Sequence, residues 1–421
     1  MRELEASLQQ FGEFLLKAQL TTEKAAPYCV RWVRRFLTRP ASGEPLADQV
    51  QRFCEELERR GTYADWQVRQ AEHALRIYFV NFLRRTDWHR PPQSTIVDEQ
   101  GRTSPLAALE DLRLRIRTRH YSYKTECSYA EWVRRFFAYA SERQRAPHPL
   151  VDTDSVRDYL TYLAVRRQVS ASTQNQALCA LLFLCRQVLG VDVDDLSATA
   201  RARRGPRLPT VLSVPETAAL LGAMRGTTWL MAALIYGGGL RVTECCQLRV
   251  KDVDFDQGLL VVRSGKGDRD RTTLLADICR EPLREQLRAA EAIHQKDRLA
   301  GLPSVWLPDA LDRKYPHAGR ELAWFWVFPS HTLSIDPRTG IVRRHHISDS
   351  VVQKAVKTAA RNARIHKPVS VHTLRHCFGT HMLLNGVDIR QIQEYLGHTN
   401  VETTMIYVAA AVMWRAARLA A

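Results

Sequence analysis

The 421-residue sequence has no apolar run of about 18 residues, and Met1-Arg2-Glu3-Leu4-Glu5 lacks the basic-then-apolar layout of a secretory leader. Neither a membrane-spanning helix nor a signal peptide is therefore expected. The nine cysteines (29, 54, 127, 179, 185, 245, 246, 279 and 377) include no Cys-x-x-Cys pair. An odd, irregularly spaced set fits neither a disulfide framework nor a zinc ribbon, and reads as reduced, mostly buried thiols of a cytoplasmic protein. Acidic residues are also scarce: 45 Asp+Glu stand against 61 Lys+Arg, a formal charge of +16. Hydrophobic residues at 45% and charged residues at 25% exclude a wholly disordered chain. A folded chain this basic points to a polyanion, nucleic acid before an anionic membrane surface; a merely basic soluble surface is the plain alternative.

The length predicts two or three domains. Trp32-Val33-Arg34-Arg35-Phe36 recurs as Trp132-Val133-Arg134-Arg135-Phe136, and Gln70-Ala71-x-x-Ala74-Leu75 recurs as Gln176-Ala177-x-x-Ala180-Leu181. Apolar residues three or four apart around both tryptophans predict helices, and two matches in one order suggest a duplicated helical unit. Trp88 to Pro105, with Pro91, Pro92 and Gly101, reads as the linker between the copies. A second boundary is the basic stretch from Arg201 to Pro209. Its four arginines, Arg201, Arg203, Arg204 and Arg207, are candidate phosphate contacts that suit a strap along DNA, and equally a solvated linker.

The remaining half is mixed. Ser213-x-x-Glu216 is a capping-box pattern, and an apolar helix from about Trp229 ends at Gly237-Gly238-Gly239. Leu259–Val262 and Thr272–Leu275 flank Ser264-Gly265-Lys266-Gly267-Asp268, the pattern of a β-hairpin with Lys266 at its tip. Helices are predicted near 350–364, 373–385, 388–396 and 400–413, with Gly386 and Gly397 at C-cap positions. Trp324 to Phe328 alternates like a strand.

Five motifs then follow in order: Gly239-Leu240-Arg241-Val242-Thr243-Glu244, Lys266, His372-Thr373-Leu374-Arg375-His376, Leu396-Gly397-His398 and Met405-Ile406-Tyr407. This set resembles the tyrosine recombinases, or phage-type integrases, closely over 210–408 and fairly over 107–190. About 130 residues separate Arg241 from His372, more than is usual in that family. The extra material, with Trp306, Tyr315-Pro316-His317, Trp324-Phe325-Trp326 and Arg343-Arg344-His345-His346, resembles the added segment of the integron integrases.

The resemblance implies a multidomain chain: all-α, SAM-like core-binding domains followed by a mixed α+β catalytic domain, mainly helical with a small antiparallel sheet. The divisions are an extra helical unit over 1–90, a linker over 91–104, the core-binding domain over 105–195, a basic linker over 196–209 and the catalytic domain over 210–421. The added segment falls around 303–326.

It further implies a site-specific DNA recombinase acting through a 3′-phosphotyrosine, with no cofactor and no metal. Tyr407 is then the nucleophile, and Arg241 and Arg375 grip the phosphate, since the guanidinium fork matches its oxygens. Lys266 is the acid for the leaving oxygen, His372 and His398 complete the hydrogen bonding, and Glu244 and His376 support them. A metal reading of His372, His376 and His381 is disfavoured, because no Asp or Glu lies between 371 and 387. Tyr315, Pro316, His317 and Trp324 are candidate contacts to a folded DNA hairpin, with packing the other reading for Trp324 and Trp326.

The implied partners are duplex DNA, folded single-stranded hairpin sites and further copies of the chain, a tetramer on DNA, in the bacterial cytoplasm at the nucleoid. Val412, Met413 and Trp414 suit docking of the tail in cis or in trans. The alternatives are a general phage or chromosome-resolution recombinase, a type IB topoisomerase-like nicking-resealing enzyme and, more remotely, a non-catalytic DNA-binding accessory protein.

Overall fold

A computed structural model describes the chain outside residues 1, 19, 24, 40–45, 60–62, 84, 86–95, 99–100, 192–208, 264–269, 309–310, 406 and 409–421. Its contacts divide into two compact units, residues 1–88 with 208–421, and residues 89–207.

The first unit opens with α1 (Arg2–Lys17), α2 (Ala26–Leu37), α3 (Leu46–Arg59) and α4 (Asp65–Arg76), the last running on as a π-helical stretch, Ile77–Phe82. On α2 the buried Cys29, Trp32, Val33 and Phe36 recur three or four apart. They form one face, which meets Leu8, Phe11 and Leu15 of α1 and Ala71, Ala74 and Leu75 of α4.

The second unit contains α5 (Pro105–Thr118), α6 (Tyr123–Gln144), α7 (Thr153–Thr161) and α8 (Ala171–Phe183), which also ends in a π-helical stretch, Leu184–Leu189. Each helix begins at a Ser or Asp whose side chain accepts a backbone N–H that the helix leaves unpaired. Ser104, Ser122, Asp152 and Ser170 take those of Ala107, Thr125, Ser155 and Thr173. Trp132, Val133 and Phe136 face Ala177, Ala180 and Leu181 across the core, as Trp32, Val33 and Phe36 face Ala71, Ala74 and Leu75 in the first bundle. The expected linker is ordered at its end. Ser104 N–H donates to the Ile96 carbonyl at 2.9 Å and Thr103 N–H to that of Pro149 at 3.0 Å.

The first unit resumes with α9 (Val214–Gly222), whose capping box is formed: Ser213 N–H donates to Glu216 Oε2 at 2.7 Å and Glu216 N–H to Ser213 Oγ at 3.1 Å. The apolar α10 (Gly226–Gly238) runs through the core centre, followed by the short α11 (Val242–Cys246). Strands β1 (Val253–Asp254), β2 (Leu259–Val262) and β3 (Arg271–Leu274) form an antiparallel sheet with Leu259 opposite Leu274 and Val262 opposite Arg271. Then come α12 (Arg280–Leu299) and the short α13 (Leu311–Lys314), and the hairpin β4 (Pro329–Ile335) with β5 (Val342–His346). The chain continues through α14 (Asp349–Asn362), α15 (Val371–Leu384) and α16 (Ile389–Leu396). This is the expected class, mainly helical with small antiparallel sheets.

One expectation needs correction. Trp324–Phe328 is not a strand; Leu322–Trp324 is a 3-10 turn and only Trp326 makes a bridge, to Arg249. Phe325, Trp326, Val327 and Phe328 are all nearly inaccessible. Phe325 and Trp326 pack with Ala290 and Val305, whereas Val327 and Phe328 enter the main core. A run buried on all sides has no solvent face, so its apparent alternation carried no strand signal.

The turn of the β4–β5 hairpin touches the first bundle: Arg76 Nη2 donates to the Pro337 carbonyl at 2.7 Å and Asn81 Nδ2 to the Gly340 carbonyl at 2.9 Å. Ile335 packs on the bundle core. Among the described residues no helix is long and apolar enough to cross a membrane.

Candidate active site

Arg241, Glu244, His372, Arg375, His376, His398 and Tyr407 lie in one neighbourhood built from α11, α15 and the segment after α16. The turn from α10 into α11 presents Arg241, and Glu244 sits one helical turn on, where its carboxylate folds back. It accepts from Arg241 N–H at 2.7 Å and from Arg241 Nη1 at 2.6 Å. Arg375 is almost fully buried on α15, donating to the Gly239 and Leu396 carbonyls, with Nη1 3.8 Å from Glu244. Burial of its charge pulls its pKa down to about 10, with the Arg241 cation adding to the shift and Glu244 opposing it. It therefore stays charged at neutral pH.

His372 and His376 are four apart on α15 and meet edge to face, ring centroids 4.5 Å apart. Burial, the neighbouring His372 and Arg375 depress His376 to about 4, and burial with the charges of Arg375 and Arg241 lowers His372. His381 points elsewhere: its Nδ1 pairs with Tyr236 Oη and its Nε2 with the Leu212 carbonyl, both at 2.9 Å. It holds α15 to α10 and to the segment that leads into α9, and does not join the other two histidines.

Gly397 ends α16 in the left-handed region and places His398, whose Nδ1 shares a hydrogen bond with Thr404 Oγ1 at 3.0 Å. Burial, then Arg375, Arg241 and Arg271, bring His398 down to about 3. Tyr407 is buried among Phe378, Ile392 and Leu396, its ring 5.6 Å from that of His376. A Cβ on Gly379 would stand 3.0 Å from the Tyr407 ring, so any larger residue there would have to push the ring aside by a few tenths of an ångström. Burial raises the phenol, while Arg375 and Arg241 oppose the shift. Such a cluster sets two guanidiniums beside neutral imidazoles and a phenol, a combination chemically suited to an anionic group.

Three sets of expected contacts fall where the structure gives no account. Lys266, expected at a hairpin tip, lies outside the described residues. So do Arg201, Arg203, Arg204 and Arg207 of the basic linker, and Val412, Met413 and Trp414 of the tail. Tyr315, Pro316 and His317 are exposed at the end of α13, and Trp306 is also largely open. Trp324 is half-buried, with Lys251 Nζ 2.8 Å from its ring centroid and the Arg249 guanidinium 5.6 Å away. Arg249 also stacks on Trp326 at 4.0 Å and donates to the Trp306 and Trp324 carbonyls.

Two residues of this region were missed from the sequence. One is Arg249, an arginine hidden among aromatics. The other is Arg271, which donates to both Glu244 oxygens at 3.0 and 2.7 Å. The only available signal for Arg271 was its position at the exit of the Lys266 hairpin.

Residues 211–413 match the phage integrase family, and residues 108–195 match the phage integrase N-terminal SAM-like domain. The chain is 48% identical over 299 residues to an integrase/recombinase of Escherichia coli, covering 71% of this chain and 88% of that protein. It is 30% identical over 289 residues to the tyrosine recombinase XerA of Thermococcus onnurineus, covering 68% and 84%. Among solved structures, XerH site-specific recombinase bound to a palindromic difH substrate is similar at 17% identity and a TM-score of 0.47, covering 97% of this chain and 92% of that one. With two domain matches in order and a relative at this identity over most of its length, the chain belongs to the phage integrase family and is a tyrosine-type site-specific recombinase.

Proposed function

We propose that this recombinase cuts and rejoins DNA strands through a 3′-phosphotyrosine on Tyr407. The observation that supports it is the convergence of Tyr407 with His376 and His398, with His372 against His376, while Arg241 and Arg375 meet at the buried Glu244 carboxylate. Phosphoryl transfer needs an oxygen nucleophile, cations on the non-bridging oxygens and an acid for the leaving group. Tyr407 Oη attacks the phosphorus and the bond to the 5′ oxygen breaks, with Lys266 giving that oxygen a proton. Arg241 and Arg375 hold the phosphoryl oxygens. His372 has a pKa lowered by burial and by both arginines, so it is neutral at pH 7 and able to accept the phenolic proton. His398 donates to the phosphate. The phosphotyrosine conserves the ester bond, so attack by the 5′ hydroxyl of a second strand reverses the step and frees Tyr407.

The substrate class is integron-type: a duplex site and a folded single-stranded hairpin. Exposed Trp306, Tyr315, Pro316 and His317 in the segment between β3 and β4 support it, since extruded bases stack on such faces for roughly 1–3 kcal/mol each. Trp324, half-covered by cations, belongs to the support of that surface. Arg201, Arg203, Arg204 and Arg207 neutralise phosphates along the strand path, a role that rests on their charge and clustering in the sequence alone. Four protomers assemble on DNA, and residues 1–90 are a duplicate of the core-binding bundle.

Incubating Tyr407→Phe with a nicked substrate tests the chemistry: site binding persists and no covalent complex forms. Covalent capture by this variant overturns the nucleophile. For the substrate class, the folded bottom strand binds more tightly than the same sequence as duplex, and Tyr315→Ala narrows the difference. Equal binding of the two forms returns the protein to the general phage or chromosome-resolution type.

A further inference from the structure

Arg271, the first residue of β3, makes contacts that no solubilising surface arginine makes. Its side chain is only 9% exposed. Nη1 and Nη2 donate to Glu244 Oε1 and Oε2 at 3.0 and 2.7 Å, a two-bond fork on one carboxylate. Its remaining donor, Nε, reaches the Tyr395 carbonyl at 2.9 Å. A Cβ on Gly397 would lie 2.7 Å from Arg271 Cδ, so the turn that presents His398 closes directly over this side chain.

Three elements that are distant in sequence therefore meet at one guanidinium. The Glu244 carboxylate orients Arg241 from α11. The last turn of α16 leads through Gly397 into His398. The strand β3 is the partner of β2, and Lys266 precedes Arg271 by five residues in the sequence.

We propose that Arg271 is a positioning residue, which ties strand β3, the Glu244–Arg241 pair and the His398 turn into one register. It touches no substrate atom and acts through those side chains. The proposal rests on the catalytic reading above. A charge alone does not suffice for this task, because only a guanidinium reaches a carboxylate with two donors and a carbonyl with a third.

The test uses the full chain with a nicked DNA substrate, in the wild type, Arg271→Lys and Arg271→Ala. Four quantities are followed: site affinity, thermal midpoint, the single-turnover rate of covalent complex formation and the titration of His398. Arg271→Lys keeps the charge and the fold but loses the fork and the carbonyl bond. It should bind DNA within about threefold of wild type and cleave on the order of tenfold more slowly. Arg271→Ala should cleave on the order of 10²-fold more slowly, and the titration of His398, followed by NMR of its imidazole, should move upward because a cation beside it is gone. Cleavage by Arg271→Lys at the wild-type rate overturns the proposal, since charge would then be enough. So does a slowing matched by an equal loss of affinity and thermal midpoint, which is what a purely structural role gives. Failure of the underlying reading is distinguishable, because it shows as covalent capture by Tyr407→Phe, whereas Tyr407 is intact in every Arg271 variant.

Discussion

The His398 imidazole lies within 15° of parallel to the Tyr407 ring, centroids 6.1 Å apart, while its Nδ1 is tied to Thr404 Oγ1 at 3.0 Å. The remaining nitrogen, Nε2, is thereby held on the side of the ring away from Thr404. His398→Ala should slow covalent complex formation by on the order of 10²–10³, the usual effect of removing one donor from a transition state. Thr404→Val keeps the buried shape and removes only the partner, so a loss of about tenfold is expected. Single-turnover cleavage of a nicked substrate measures both, and a His398→Ala variant at full rate would exclude this histidine from the chemistry.

Acid should destabilise the fold in two overlapping windows. His398, His376 and His345 have folded pKa values near 3, 4 and 4, each lowered first by burial and then by neighbouring cations or histidines. Unfolded histidine titrates near 6.5, so below that pH the unfolded chain binds protons the folded one refuses. Stability is full above pH 6.5 and falls towards pH 4, by about 1–2 kcal/mol per histidine after allowance for its partial exposure. Glu244 acts lower: burial raises it, but Arg271 and Arg241 outweigh burial and bring it to about 2. Its contribution is present above pH 4.5 and disappears as pH falls towards 2. Thermal midpoints between pH 8 and 4 check this, with His376→Gln giving a flatter curve than wild type.

The contact between the first helical bundle and the β4–β5 hairpin should be measurable by hydrogen exchange. Asn81 and Arg76 each donate to one carbonyl of the hairpin turn. Among the described residues, Asn81 Oδ1, Arg76 Nε and Asp336 Oδ2 are buried with no hydrogen-bond partner. Such a seam gains little per bond, so Asn81→Ala should cost only about 1 kcal/mol. Gly340→Val is expected to cost more, because Gly340 has a φ of +73°. Both variants should speed amide exchange in residues 329–346. Unchanged exchange there would mean that the bundle does not brace the hairpin.

How far the sequence could be read depended on whether the information was local. Caps and C-terminal glycines mark their own positions, so the helix carrying His372 and Arg375 and the turn at Gly397 were predictable, as was the β2–β3 hairpin. The long α12 escaped because Arg280–Leu299 is rich in charge and buries few residues. Arg271 escaped for another reason: its place after the Lys266 segment does not by itself mark it out. Its meaning comes from Glu244 and Tyr395, which stand 27 and 124 residues away. The strand read from Trp324 to Phe328 failed because alternation is informative only where one face meets water.

Arg249 provides the last prediction, on what supports the exposed aromatic surface. Its guanidinium is buried, stacks 4.0 Å from the Trp326 ring and donates to the carbonyls of Trp306 and Trp324. Burial pulls its pKa down to about 10, with Asp252 and Asp312 opposing the shift, so it remains a cation at neutral pH. Arg249→Lys supplies the charge without the planar fork, which leaves a buried carbonyl unpaired and loses the flat stacking face. A destabilisation of about 2–4 kcal/mol is expected, the range for breaking a buried polar network. Because the Trp306 carbonyl is held by this node, Arg249→Lys should also weaken binding of the folded DNA hairpin more than binding of the duplex. Denaturant titration and paired affinity measurements separate the two effects. Equal weakening of both DNA forms would show that the node supports the catalytic half as a whole and not the hairpin surface in particular.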